Sequence, residues 1–444
     1  MRSGGSPVAV TAKPGSLFRH RSFFLLWSSQ SVSFLGTQIT YVALPLTAVL
    51  VLDATAMESG LVGALERLPF LLFGLFVGVF VDRRARRPIL VWTNAVRFAA
   101  LAWIPFAYML DMLTMAQLFL VVFVVGTMTV FFEIAYPSYV PGLVGRERLM
   151  EANGKLQVSE SVAEVVGPGT AGVLISALSA PVVILLDAVS YAVSALSLMK
   201  LPSDAAPHAP KDADRKAPSV WASVREGFSV IKQHALLRWC TVAAVFTSLF
   251  FSAVMAVYFL FLIREAGVGA AEIGVITAIG SAGALCGALV ADRLTLRLGV
   301  GPTLVLSLVF PALGYLVLAS VHGNSVAAVA TAAVASFVAL FGIPVFDVTV
   351  ISFRQAVTPD HLLGRVNATV RTFAWGALSV GSLLGGALGT ALGLRQAVLV
   401  SAIGLFVPSL ILLLSPARGV RRLDEAAQAA SEPQSPQPSL QLDQ

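Results

Sequence analysis

Residues 74–88 read Gly-Leu-Phe-Val-Gly-Val-Phe-Val-Asp-Arg-Arg-Ala-Arg-Arg-Pro. An apolar stretch with glycines four apart, Gly74 and Gly78, runs directly into Asp82 and then Arg83, Arg84, Arg86 and Arg87. Glycines at that spacing clear one helical face and let a second helix pack closely against it. The arginines mark the side of a membrane on which the helix ends, because Lys and Arg are held back on the cytoplasmic side. The stretch is a membrane helix carrying its own address, and the remainder of the chain is organised in the same way.

Composition agrees with that reading. Of 444 residues, 57% are hydrophobic and only 12% charged, and the mean hydropathy is +0.83. A soluble domain carries about 25% charge, so this chain has too little polar surface to coat a globule and needs lipid as part of its solvent. The net charge of +6 does not point to nucleic acid, because the basic residues sit in short loops between apolar runs rather than on one face. Cys240 and Cys286 lie in or beside apolar segments and read as two single buried thiols. Residues 1–22 are polar and basic without the short apolar core of a cleavable signal, so the first span is expected to serve as its own insertion signal.

Twelve apolar runs are long enough to cross a bilayer, which takes about 20 helical residues. The first six cover residues 23–51, 59–81, 89–110, 114–136, 151–178 and 180–199; the second six cover 239–263, 270–291, 301–320, 324–348, 366–390 and 394–415. The expected fold is all-α and polytopic, with six-helix bundles at 23–199 and 239–415. A tail (1–22), a central loop (200–238) and a C-terminal tail (416–444) complete the chain. Arg and Lys fall in the tail, in the loops after spans 2, 4, 6, 8 and 10, and after span 12, whereas the opposite loops hold little beyond Arg264 and Arg395. Both termini are therefore expected in the cytoplasm. Pro202 to Pro218 reads as a flexible linker. Val220, Trp221, Val224, Phe228 and Ile231 recur at helical spacing among charges and predict an amphipathic helix on the membrane surface. After Arg422 the composition predicts disorder.

The halves repeat. Glu133, Asn153, Gly167-Pro168 and Gly172 have counterparts in Asp347, Asn367, Gly381-Ser382 and Gly386, each displaced by 214 residues. Glu58-x-Gly60 and Glu272-x-Gly274 share that displacement, and the opening stretch recurs as Gly287-Ala-Leu-Val-Ala-Asp292-Arg293. Two duplicated halves suit a carrier whose site lies between them and whose access alternates as one tilts on the other.

Twelve spans in six plus six, a long central loop and the Gly74–Pro88 motif in both halves resemble the major facilitator superfamily, over about residues 17–415. Phe18-Arg19 before Trp27, Val42-Ala-Leu-Pro-Leu46, Asp82-Arg-Arg, Ala152-Asn153 and Gly167-Pro168 are similar to the macrolide-efflux and enterobactin-exporter type of drug:proton antiporter. The resemblance implies a cytoplasmic gate, for which Asp82, Arg83 and Arg86 are the candidates, with Asp292 and Arg293 as second-half counterparts. Glu133 and Asp347, near the expected ends of spans 4 and 10, are expected to join that gate by pairing with loop arginines. It also implies a cavity wall from spans 1, 4, 7 and 10, where Gln30, Ser33, Gln38, Tyr41, Phe246, Phe250 and Tyr258 are available.

Span 5 carries the chemistry of most interest. Gln157, Glu160 and Glu164 share one face, and at 1.5 Å per residue the glutamates lie roughly 14–20 Å deep. A carboxylate at that depth needs a partner, water or a proton. Glu160 or Glu164 is thus either the carrier of a coupling proton that also meets cargo, or half of a structural pair. Beyond them, Val166-Gly-Pro-Gly-Thr-Ala-Gly172 resembles the antiporter motif: Pro168 weakens the helix, and Gly167 and Gly172 permit close packing. Arg97 and Asp187 lie at similar depth and are expected to pair within the first half. Arg67 belongs either to an outer gate or to a structural pair with Glu66, and Arg371 is placed near enough to the cytoplasm to snorkel.

Gly154-Lys155 is followed by Leu156, so no phosphate-binding loop of an ATPase is present. The five histidines show no metal-ligand spacing. No enzyme activity, metal or cofactor is expected. The expected protein is a monomeric proton-coupled exporter of amphiphilic small molecules in a plasma membrane. Its rivals are an exporter of one endogenous metabolite, such as a siderophore or self-made antibiotic, and a non-transporting sensor or scaffold on the same fold.

Overall fold

The computed structural model describes residues 17–202, 220–358 and 360–421. The basic segment before Leu17, most of the flexible-linker expectation (203–219) and the disordered-tail expectation after Arg421 lie outside the described residues.

The first half comprises α1 (Arg21–Leu50), α2 (Ala56–Asp82), α3 (Arg86–Met109), α4 (Met115–Val144), α5 (Leu149–Ala177) and α6 (Ala180–Met199). A short helix, α7 (Val220–Gln233), precedes the second half. That half runs through α8 (Ala235–Arg264), α9 (Ala270–Leu298), the broken span α10 (Val300–Ser307) with α11 (Val309–Ala319), α12 (Val326–Val357), α13 (Asp360–Leu392) and the broken span α14 (Leu394–Gly404) with α15 (Phe406–Leu414). Among the described residues the spans number twelve, in two pseudo-symmetric six-helix bundles, and ten of them are long and apolar enough by composition to cross a membrane.

The helix boundaries have local causes. At the start of α2 the Thr55 hydroxyl accepts from the Glu58 N–H (3.2 Å) while the Glu58 carboxylate accepts from the Thr55 N–H (2.8 Å). Thr114 and Gln117 do the same for α4. Each reciprocal cap satisfies two amides that would otherwise lack partners. At the other extreme, Gly299 (φ +92°) is the single residue between α9 and α10, and Gly393 (φ +91°) the single residue between α13 and α14. Only glycine takes that corner without strain.

Three helices outrun their expected ends. α4 continues through Pro137 and Pro141 to Val144, α9 continues to Leu298, and α12 continues to Val357. Glu133 and Asp347 therefore lie eleven and ten residues from their helix ends, about 15 Å along the axis, not at the rim. Pro137 and Pro141 do not stop α4; prolines are tolerated in membrane helices where neighbouring groups take up the freed carbonyls.

The halves meet along two seams, α2 on α13 and α5 on α9. The 214-residue offset maps α2 onto α9 and α5 onto α13, so the duplication relates one seam to the other. Both seams close on glycine. A Cβ on Gly172 would stand 2.7 Å from the Cα of Gly274, and one on Gly60 would stand 2.9 Å from the Cα of Gly386. These crossings lie at the end of the molecule away from the arginine-rich loops; the two ends are termed the opposite face and the basic face.

The segment expected to lie as an amphipathic helix on the membrane surface is helical as α7, and part of its apolar side packs on protein. Ile231 is buried beside Val366 and Val370 of α13, Phe228 meets Phe373 with ring centroids 6.0 Å apart, and Glu226 pairs with Arg365. Burial against a helix competes well with lipid contact because the charged rim is satisfied at the same time.

Candidate functional site

α1, α5, α8, α9, α11 and α12 enclose a cavity of about 360 Å³ between the halves. Its first-half wall is Gln38 and Tyr41 of α1 with Glu164 of α5. The second half contributes Met255, Tyr258 and Phe259 of α8, Thr277 and Ser281 of α9, Tyr315 of α11 and Ser336 of α12. Glu164 is the charged side chain of that lining. Pro168 sits four residues beyond it inside α5 and has no N–H to give to the Glu164 carbonyl. The aromatic side is fixed by specific contacts: Tyr258 and Ser336 share a hydrogen bond of 3.0 Å, the Tyr41 hydroxyl donates to Met255 Sδ at 3.7 Å, and Tyr41 and Phe259 meet edge to face. Gly167 lies directly under Gln38 and holds α1 against α5.

Of the acidic face of α5, Gln157 donates to Glu160 at 3.3 Å, and Glu160 lies in the field of Glu164 and of Glu133 on α4. Glu133 itself accepts from Arg371 of α13 at 3.1 Å. Arg371 lies over Trp375, whose ring meets Phe70 of α2. This latch crosses between the halves about midway along the helices. Arg371, expected to snorkel near the cytoplasm, lies eleven residues into α13 and faces Glu133. Its signal in the sequence is the repeat itself, since Arg371 is the counterpart of Gln157 at the 214-residue offset.

A second cavity, about 290 Å³, occupies the next stretch of α8 and α12 toward the basic face. Asp347 and Arg354 of α12 line it with Cys240, Thr241, Thr247 and Ser248 of α8, and Arg67 reaches in from α2. Asp347 thus faces a cavity with Arg354, an arginine expected in the loop after span 10 and found inside α12, while Arg67 lines the same cavity and lies 4.0 Å from Glu66.

Among the described residues of the expected basic-face gate, Arg83, Asp292 and Arg293 form no ion pair across the halves. Arg87 spends its guanidinium on the carbonyls of Leu198 and Met199, closing the end of α6 within its own half, and Arg84 covers the Phe80 ring. Arg83, Asp292 and Arg293 are exposed, and no ion pair between the two loops is formed among the described residues. Asp82 ends α2, but its side chain lies outside the described set. Gly74 and Gly78 likewise depart from expectation: a Cβ on either would meet nothing within 4 Å. The reason is the same in each case. The halves are drawn together at the opposite face, where Arg264 pairs with Asp53 across the seam, Ser59 donates to the Ala256 carbonyl at 2.7 Å and the glycine crossings close, leaving the basic ends apart.

Three more expectations change. Gln30 is buried and donates to Ser194 of α6 at 2.9 Å, while Asn94 of α3 donates to the same hydroxyl at 2.9 Å. Gln30 is therefore internal to the first half and absent from the cavity wall. Phe246 and Phe250 stack on each other, and Phe250 packs against Gly404, on the far side of α8 from the cavity. Arg97 and Asp187 are both buried, yet no ion pair joins them among the described residues. Arg97 donates to the Met128 carbonyl (3.1 Å) and lies over Phe132 and Tyr191, while Asp187 accepts from Ser190 (3.1 Å).

The family described as transmembrane secretion effector matches residues 12–444. Macrolide efflux protein A of Streptococcus pyogenes is 25% identical over 215 residues, which are 48% of this chain and 51% of that protein. The chain thus spans about half the length of the macrolide efflux relative it matches. Multidrug efflux pump Tap of Mycolicibacterium fortuitum is 24% identical over 416 residues, 88% of this chain and 94% of that one. Among solved structures, a bacterial homolog of the human lysosomal transporter Spinster, inward-facing and unoccupied, aligns with a TM-score of 0.68 at 14% identity over 96% of this chain and 100% of that one. The nucleoside transporter NupG aligns with a TM-score of 0.68 at 13% identity over 88% and 98%.

Proposed function

Because the chain belongs to the transmembrane secretion effector family, within the major facilitator superfamily, we propose that it is a secondary active exporter of amphiphilic small molecules, driven by proton antiport with alternating access. The observation that carries the proposal is Glu164 set among Tyr41, Tyr258, Phe259 and Tyr315 in a cavity between the halves. Apolar aromatic walls with one convergent charge suit an amphiphile with a cationic end.

In this reading the basic face is cytoplasmic, the membrane is a plasma membrane and the protein works as a monomer. The opposite face is closed by Asp53–Arg264 and the glycine crossings, so the state described is inward-facing. Glu164 meets cargo or a proton, and Glu160, steadied by Gln157, extends the acidic wall toward Glu133. A proton taken up from outside and a cargo molecule taken up from inside compete for the same carboxylates, and the linkage is reciprocal. Asp82, Arg83 and Arg86 with Asp292 and Arg293 close the cytoplasmic face in the other state, when the Glu133–Arg371 latch and the Asp347 cavity rearrange. The protein's efflux relatives support the direction of transport.

The test is a drug panel on efflux-deficient cells expressing the wild type, Glu160→Gln or Glu164→Gln, with a protonophore control. The wild type is expected to lower cell accumulation of amphiphilic cations until the protonophore is added, and Glu164→Gln to abolish that energy-dependent efflux. Full efflux by both variants would overturn proton coupling through α5.

A further inference from the structure

The second cavity has a chemistry unlike that of the first. The cavity around Glu164 presents a carboxylate and hydroxyls. The cavity next to it presents two guanidinium groups, Arg67 and Arg354, against one carboxylate, Asp347. The Arg354 side chain makes no hydrogen bond or ion pair among the described residues, its Nε is buried without a hydrogen-bond partner, and Asp347 is the carboxylate that faces it. Arg67 is half-buried and pairs loosely with Glu66 at 4.0 Å. A buried guanidinium nitrogen without an acceptor, as at Arg354, is costly, and a guanidinium fork is shaped to take two oxygens of one anionic group.

The surrounding hydroxyls sharpen the assignment. Thr241 and Thr247 each donate to a carbonyl four residues back in α8, Leu237 and Ala243. Their protons are spent, which leaves the two arginines and the Ser248 hydroxyl as donors for an anion's oxygens.

We propose that this cavity, between α2, α8, α12 and α13, is a subsite for the carboxylate or phosphate of an amphiphilic cargo, held between Arg67 and Arg354. The assignment rests on the export reading and deepens it, because it gives the cargo an anionic end. The lining of the two cavities is consecutive along α12, and Arg354 stands ten residues beyond Pro344, about 15 Å along the helix. An elongated cargo reaching from one cavity into the other meets Glu164 with its basic end and Arg354 with its acidic end. Because Arg67 belongs to the first half and Arg354 to the second, an anion bridging them binds best when the two halves are in the arrangement seen here.

The test uses the full chain in lipid nanodiscs, with empty nanodiscs as background. Two fluorescent probes share one apolar body, 4-(1-pyrenyl)butyrate and its trimethylammonium analogue. The wild type is expected to bind both. Arg354→Gln and Arg67→Gln are expected to weaken the carboxylate probe by about tenfold or more and leave the trimethylammonium probe unchanged, with Arg354→Lys retaining part of the carboxylate affinity. Glu164→Gln is expected to do the reverse. Unchanged carboxylate binding in both arginine variants, equal loss of both probes, or a wild type that binds only the trimethylammonium probe each overturn the anion subsite. Failure of the Glu164 arm alone counts against the carboxylate cavity of the export reading and leaves this assignment standing.

Discussion

Glu133 of α4 and Arg371 of α13 meet at 3.1 Å and tie the first half to the second midway through the bundle. The side chains are 43% and 55% exposed, and an ion pair that open to solvent stabilises by no more than about 1 kcal/mol. Its value lies in choosing between arrangements of the halves. Glu133→Gln and Arg371→Gln are expected to unfold within a few degrees of the wild type in detergent, with a coupling energy below about 1 kcal/mol in a double-mutant cycle. Glu133→Arg alone places two cations together and is expected to abolish efflux. Adding Arg371→Glu restores opposite charge and is expected to recover it.

The fold was legible because its signals are periodic and repeated. Apolar runs mark the spans, arginines cluster at one end of them, and the 214-residue offset pairs Gly60 with Gly274 and Gly172 with Gly386 in the sequence itself. What the offset left open is that these glycines cross-pair in space, Gly60 on Gly386 and Gly172 on Gly274, because nothing in a single chain states how two halves dock. Gln38 and Tyr41, expected on the wall, and Glu164, expected as a proton carrier or half of a structural pair, all lie on one cavity. Gln30, also expected on the wall, does not: a buried glutamine bonded to Ser194 has the same sequence signature as one facing a cavity. Arg371 was misplaced because α13 starts at Asp360, six residues earlier than its apolar run suggests, which sets the arginine deeper.

Ser194 holds two buried amides at once, Gln30 Nε2 and Asn94 Nδ2, each at 2.9 Å. Removing its oxygen strands both donors between α1, α3 and α6. Ser194→Ala is expected to destabilise the first half by on the order of 1 kcal/mol, the scale of hydrogen bonds inside membrane proteins. Replacing both amides together with the serine (Gln30→Leu, Asn94→Leu, Ser194→Ala) is expected to recover part of that loss. Detergent-resistant thermal unfolding measures both.

Gly172 and Gly274 leave no room for a methyl group. At 2.7 Å from a backbone Cα, a Cβ has no rotamer to escape into, so α5 and α9 must separate. Overpacking of this kind costs about 1–3 kcal/mol, and here the cost falls only on the state whose opposite face is closed. In a chain with Cys240→Ser and Cys286→Ser, a Thr277→Cys label site reports access to the central cavity. Gly172→Ala is expected to raise its reaction with an impermeant maleimide added from the opposite side by five-fold or more, the population shift about 1 kcal/mol brings. Gly60→Ala, on the duplicate seam, is expected to act in the same direction. Unchanged labelling in both would mean that the crossings do not seal that face.

Gly74 and Gly78 provide the contrasting case, on the same helix as Gly60 but at its basic end. A Cβ there meets nothing within 4 Å, so Gly74→Leu and Gly78→Leu remove no contact from this state. Replacing a helical glycine even favours the helix by up to about 1 kcal/mol, and the unfolding temperature is expected to stay level or rise. If the basic face closes by bringing another helix over α2, as glycines four apart allow, the same leucines block that closure. Efflux is then expected to fall at least tenfold in proteins that are as stable as the wild type, and the Thr277→Cys site is expected to become unreactive from the opposite side. The combination separates a packing role in the unseen state from a purely local one, because a local role would move stability and leave access unchanged. Efflux at wild-type rate in both leucine variants would show that the two glycines lie under no helix at any point in the cycle.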